Sequence, residues 1–264
     1  MKSGLPVVLL HGWASHPNVF RGLARALEKN GRVRMMALPG YGGGGAVGGA
    51  GAEACTPYTL ERLADTLAAA APKSCDVVGW SLGAQVALTW ALRAPKQVRR
   101  LALIAATPCF TQRTGDKSAW PHAVTPMVMR QFTSAIRRDC PGVLRRFVAL
   151  QSLGDTQAVR VAHQLRTALF TNPLPTQAVL EAGLEILKTA DLRALLPSIA
   201  QPALVLHGTH DAVTPCAAGE ALSAALPDAR FHKIDGAGHA PFLSAPDVVA
   251  ALLQAFFDEA GTAV

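Results

Sequence analysis

Apolar residues recur along the chain in two rhythms. Short apolar runs at 6–10, 32–38, 76–78, 101–105, 203–206 and 231–234 have the length of buried strands. Between them lie longer segments, 19–29, 59–71, 81–92, 216–226 and 247–259, whose apolar residues fall three and four apart. In 19–29 Phe20, Leu23, Ala24 and Leu27 share one face; in 59–71 Leu60, Leu63, Ala64 and Leu67 do, and Pro72 stops the helix. Strand alternating with helix predicts an α/β fold, with a mostly parallel sheet covered by helices on both faces.

The middle of the chain breaks this alternation. From about 111 to 196 the spacing is helical throughout, at 128–136, 143–153, 159–170 and 178–187, and no strand pattern stands out. This predicts a core built from 1–110 and 197–264, with a helical cap (lid) inserted at 111–196. Charge is concentrated in the same insertion. Between Arg113 and Arg166 there are nine Lys and Arg residues against three Asp, in a chain whose whole net charge is +7. A basic surface of this kind attracts acidic partners.

Composition narrows the class. Half of the 264 residues are hydrophobic and 16% are charged, enough for a sizeable core and incompatible with global disorder. The five cysteines, Cys55, Cys75, Cys109, Cys140 and Cys216, are odd in number and form no Cys-x-x-Cys pair, which argues against a disulfide framework or a thiolate zinc site. The apolar start at 5–10 contains Pro6 and runs into His11-Gly12-Trp13, so it reads as a first strand rather than a secretory leader. No stretch reaches the roughly 20 apolar residues of a bilayer span. A soluble, cytoplasmic, monomeric protein is expected. Gly40–Gly51 is glycine-rich, but it matches neither a phosphate loop nor a dinucleotide fingerprint and reads as a flexible loop. His16, His122, His163, His207, His210 and His232 show no metal-binding spacing and are expected to be structural. The basic residues sit in no nucleic-acid reading motif.

The chemistry centres on Gly79-Trp80-Ser81-Leu82-Gly83, between a strand pattern and a helix pattern. Gly-x-Ser-x-Gly in that setting is a nucleophile elbow: a sharp turn exposes the serine hydroxyl, and glycines allow the close packing. A serine nucleophile needs a base and an orienting acid. Asp211 follows the strand at 203–206 and His239 follows the one at 231–234, in the expected chain order Ser, Asp, His. Asp235 is the rival acid, but it lies four residues before His239 on the same strand end. The oxyanion donors are expected to be the backbone N–H groups of Leu82 and of Trp13, in the loop after the first strand. No metal or organic cofactor is required.

These residues together resemble the α/β-hydrolase superfamily over nearly the whole chain. Within it, four stretches resemble the pimeloyl-[acyl-carrier protein] methyl ester esterases of biotin synthesis: Leu10–Trp13, Gly79–Gly83, Arg146–Gly154 and Gly183–Arg193. The resemblance implies a serine carboxylesterase that removes the methyl ester of a pimeloyl chain carried on acyl carrier protein. It also implies that cap arginines dock the acidic carrier. Arg146 falls in a matching stretch, with Arg145, Arg160 and Arg166 nearby, and Trp13 would contact substrate. The alternatives are a general short-chain esterase, lactonase or thioesterase with the same machinery, and a non-enzymatic binder that keeps the pocket.

Overall fold

A computed structural model describes residues 5–28, 31–42, 55–113 and 120–259. The glycine-rich segment from 43 to 51 and Asp116 and Lys117 of the insertion lie outside the described residues. Six strands form one parallel sheet: β1 (Val7–Leu10), β2 (Val33–Met36), β3 (Cys75–Trp80), β4 (Val98–Ile104), β5 (Ala203–Gly208) and β6 (Ala229–Ile234), in the order β2-β1-β3-β4-β5-β6. β1, β3 and β5 are buried at every position, as both faces of a covered parallel sheet require. The edge strands β2 and β6 mix buried and exposed residues.

Helices α1 (Arg21–Leu27), α2 (Leu60–Ala70), α3 (Leu82–Arg93), α8 (Cys216–Ala225), α9 (Pro241–Ser244) and α10 (Pro246–Asp258) accompany the sheet. α2 buries Leu60, Leu63, Ala64 and Leu67, the face its spacing predicts. α3 is buried almost all round, between sheet and α2. Between β4 and β5 the chain runs through α4 (Pro126–Arg138), α5 (Cys140–Gln151), α6 (Ala158–Phe170) and α7 (Gln177–Thr189). The starts of α4 and α7 are fixed by Thr125 and Thr176, whose hydroxyls accept the N–H of Val128 and Val179. The entry and exit of this insertion are tied together. Cys109 bridges Asp191, Leu192 N–H donates to Pro108 O at 2.9 Å, and Thr111 Oγ1 donates to Leu187 O at 3.0 Å.

Register brings the functional segments to one edge. Leu10 is level with Gly79, Trp80 with Ile104, Ile104 with Leu206, and Gly208 with Ile234. In a parallel sheet the segments that follow these strands share one rim, where open α/β sheets build their sites. Several details differ from the sequence expectation, among them β4, which starts at Val98 rather than 101. β5 continues through His207 and Gly208, which still pair with Lys233 and Ile234. α9, started by Pro241 at its first position, and two 3-10 segments, Pro17–Phe20 and Arg193–Ser198, are too short to carry a readable period. Among the described residues, no helix is long and apolar enough to cross a membrane.

Candidate active site

Ser81 sits between the end of β3 and the start of α3 with φ 56°, in a region that L residues rarely occupy. The turn closes only because its flanks are glycines. A Cβ on Gly79 would lie 2.5 Å from Ala84 Cα, and one on Gly83 would lie 2.3 Å from Leu10 O. Ser81 N–H donates to Ile104 O at 3.0 Å, tying the turn to the neighbouring strand end. Leu82 opens α3, so its N–H belongs to the first turn, where a helix offers no internal acceptor.

The loop after β1 reaches the same turn. A Cβ on Gly12 would be 3.1 Å from Ser81 Cβ, so Trp13 follows directly beside the elbow. His11 holds this loop. Its buried ring accepts Leu38 N–H at Nε2 (3.1 Å), which leaves Nδ1–H to donate to Gly12 O (2.8 Å). Burial lowers the pKa of His11 to about 3, so the ring is neutral near pH 7. The Trp13 indole donates to Leu180 O of α7 at 2.9 Å.

Asp211 and His239 come from the turns after β5 and β6. His239 is buried, and its Nδ1 meets Asp211 Oδ2 at 2.8 Å. Nε2 of the same ring is buried and has no hydrogen-bond partner among the described residues. Asp211 Oδ1 accepts the N–H groups of Val213 (2.8 Å) and Thr214 (2.9 Å). Burial alone would push the Asp211 carboxyl up, but the facing His239 and hydrogen bonds from His207 and His239 hold it well below the usual carboxylate range. The rival Asp235 is exposed.

Several partners of His239 were not legible in the sequence. Trp80 Nε1–H donates to His239 O at 2.7 Å. The corner between α5 and α6 holds the other side: His239 N–H donates to Gln151 O (3.0 Å), and Gly238 N–H donates to Asp155 Oδ2 (2.7 Å). The same buried carboxylate takes Ser244 Oγ–H, while its Oδ1 accepts Gln157 N–H at 2.7 Å. Thr156 N–H donates to Gly236 O at 2.8 Å. The one sequence signal for Asp155 is that it is one of three acids within a predominantly basic run.

Ser81 opens onto a cavity of about 170 Å³ between the strand ends and the insertion. Apart from Ser81 its lining is apolar, including Trp13, Phe132, Phe147, Leu184 and Leu187. Trp13, Phe132 and Phe147 meet ring to ring, with centroids 5.0–5.9 Å apart. The four arginines expected to bind a partner are all exposed, Arg145 and Arg146 on α5 and Arg160 and Arg166 on α6. Arg146 lies 3.6 Å from Asp139, and Arg160 donates to Ser244 O at 2.8 Å.

Residues 6–246 match the family model described as alpha/beta hydrolase fold. A protein of Aromatoleum aromaticum called pimeloyl-[acyl-carrier protein] methyl ester esterase is 43% identical over 94% of this chain and 96% of its own. One of the same name from Nitrosomonas europaea is 38% identical over 93% of this chain and 92% of its own. Among solved structures, an esterase from Exiguobacterium antarcticum superposes with a TM-score of 0.80 at 24% identity, over 98% of this chain and 94% of that one. The enol-lactonase of Burkholderia xenovorans does so with 0.76 at 21%, over 97% and 92%.

Proposed function

The chain belongs to the alpha/beta hydrolase fold family and, within it, to the pimeloyl-[acyl-carrier protein] methyl ester esterases. From that membership we propose a serine esterase that hydrolyses the methyl ester of a pimeloyl chain on acyl carrier protein, freeing the carboxylate for biotin assembly in the cytoplasm. The reading divides the chain into a core, 1–110 and 197–264, and a cap, 111–196.

One observation carries the mechanism. His239 is bonded through Nδ1 to the ionised Asp211, and its remaining nitrogen, Nε2, is buried and unengaged among the described residues. That nitrogen is the general base. It takes the Ser81 hydroxyl proton as Oγ adds to the ester carbonyl. The N–H groups of Leu82 and Trp13 stabilise the oxyanion. The tetrahedral adduct expels methanol, which receives its proton from His239. Water then adds to the acyl-enzyme, losing a proton to the same nitrogen; the second adduct breaks its bond to Ser81 Oγ, which takes that proton back, and the free acid leaves. Asp211 fixes the His239 tautomer and stabilises the imidazolium in both steps.

The cavity supports the substrate class. An apolar wall suits a methylene chain ending in a neutral methyl ester, and it disfavours the carboxylate product, which would have to shed water to remain. The exposed arginines of α5 and α6 fit an acidic carrier protein. The test is methanol release from the carrier-bound ester. Wild type turns over, whereas Ser81→Ala stays folded and releases none. Sustained release by that variant would refute the mechanism.

A further inference from the structure

The mechanism leaves one buried imidazole beside its acid unused. His207 lies near the end of β5 and is fully buried. Its Nε2 is 3.1 Å from Asp211 Oδ2 and 2.9 Å from Thr214 O. Both are acceptors, so Nε2 carries the hydrogen and Nδ1 the lone pair. Nδ1 is buried without a partner among the described residues and faces α8, where a Cβ on Gly219 would come within 2.3 Å of it. The ring fits only because residue 219 lacks a side chain. The oxygen that receives His207 is the one that receives His239 Nδ1–H.

We propose that His207 is a positioning residue for ester hydrolysis, acting through Asp211. Its one Nε2–H, hydrogen-bonded to Thr214 O, also lies against Oδ2 at 3.1 Å, a second positive partner that keeps the carboxylate from turning away from His239 and draws part of its negative charge off that bond. Thr214 closes the arrangement, since its N–H donates to Asp211 Oδ1 while its carbonyl accepts from His207. The titratable and charged groups beside the ring are Asp211, 3.1 Å away and shared with His239, and, on the elements packed against it, Cys216 and Glu220 of α8 and Lys233, level with His207 on β6. The Glu220 carboxylate lies 3.4 Å from the Lys233 ammonium. The inference rests on the assignment of Ser81, Asp211 and His239.

The pH dependence of kcat and KM on p-nitrophenyl acetate tests it. In His207→Phe, kcat falls about 10- to 100-fold with KM unchanged, the size of loss that a small misplacement of a reacting group produces. The acid limb of kcat/KM moves to higher pH, because Asp211 then directs its whole charge at the imidazolium of His239. His207→Gln, whose amide nitrogen takes the place of Nε2–H, recovers most of kcat and returns the limb toward wild type. Gly219→Ala removes no polar group, yet it pushes the ring aside and reproduces the His207→Phe profile. It carries the comparison if His207→Phe does not fold. A ring that only packs would lower Tm and leave the limb in place. Folded His207→Phe or Gly219→Ala with the wild-type kcat and limb overturns the inference alone. Wild type without ester turnover, or Ser81→Ala that retains it, removes the triad assignment and the inference with it.

Discussion

At the ends of β3 and β5 the backbone decides where a functional side chain stands. Ser81 is held by a positive φ and two glycines that a Cβ would displace, and Asp211 by two N–H groups of its own turn. Across the cavity, α4–α7 contribute no such turn. They supply apolar surface inside and arginines outside, through ordinary helical periodicity. On the proposed reading the first region specifies a reaction and tolerates little change, and the second specifies what is brought to it and tolerates more. The two meet at the corner of Gln151 and Asp155, which grips the backbone on either side of the Gly238–His239 bond.

Substitutions rank the two regions. Asp211→Asn should cost about 10⁴-fold in kcat, since it holds His239 in the wrong tautomer, while folding is retained. Stopped-flow or steady-state assay of any small ester checks this, and a loss below tenfold would demote the strand ends. Asp155→Ala tests the junction. It strands the buried Gly238 N–H and leaves the Ser244 hydroxyl only its long bond to Ala240 O, so urea unfolding should show a loss of about 1–3 kcal/mol. Because His239 loosens, kcat should drop by at least tenfold on small and large esters alike. A lower stability with intact kcat would separate the corner from the chemistry.

Acid sharpens the picture of the core. The buried His11 binds its proton only below a pKa of about 3, against 6.5 when exposed. Between these values the unfolded chain holds more protons than the native one, so stability falls as pH is lowered. This group alone contributes up to about 1.4 kcal/mol per pH unit. Asp211 acts lower. Its depressed carboxyl contributes stability above the ordinary carboxylate range, which is lost as pH falls through the depressed value. Urea midpoints from pH 6.5 to 4 should therefore decline less steeply in His11→Gln than in wild type, and parallel slopes would contradict the burial argument.

Sequence made the core and its reaction largely readable, because both depend on local signals. The strand–turn–helix around Ser81 and the strands preceding Asp211 and His239 are set by neighbours in the chain. What the sequence hid is long-range. Asp155 acts on a residue 83 positions away and the Trp80 indole on one 159 away. His207 is different, only four residues from Asp211, but the meeting of its Nε2 with the carboxylate depends on how β5 ends and the following turn folds back. The aromatic contacts of Trp13 with Phe132 and Phe147 also need the α4–α5 packing to exist.

The smallest effect belongs to the exposed arginines. Arg145→Ala with Arg146→Ala should leave Tm and small-ester turnover nearly unchanged, since exposed charges and a surface pair such as Arg146–Asp139 contribute little to stability. The most direct test of the account is kcat/KM for the carrier-bound pimeloyl methyl ester against free dimethyl pimelate, in wild type and this double variant. The account predicts that wild type prefers the carrier-bound ester, and that the preference falls about tenfold in the variant and shrinks with added salt. Equal values for both esters in wild type, unmoved by the substitutions, would contradict it.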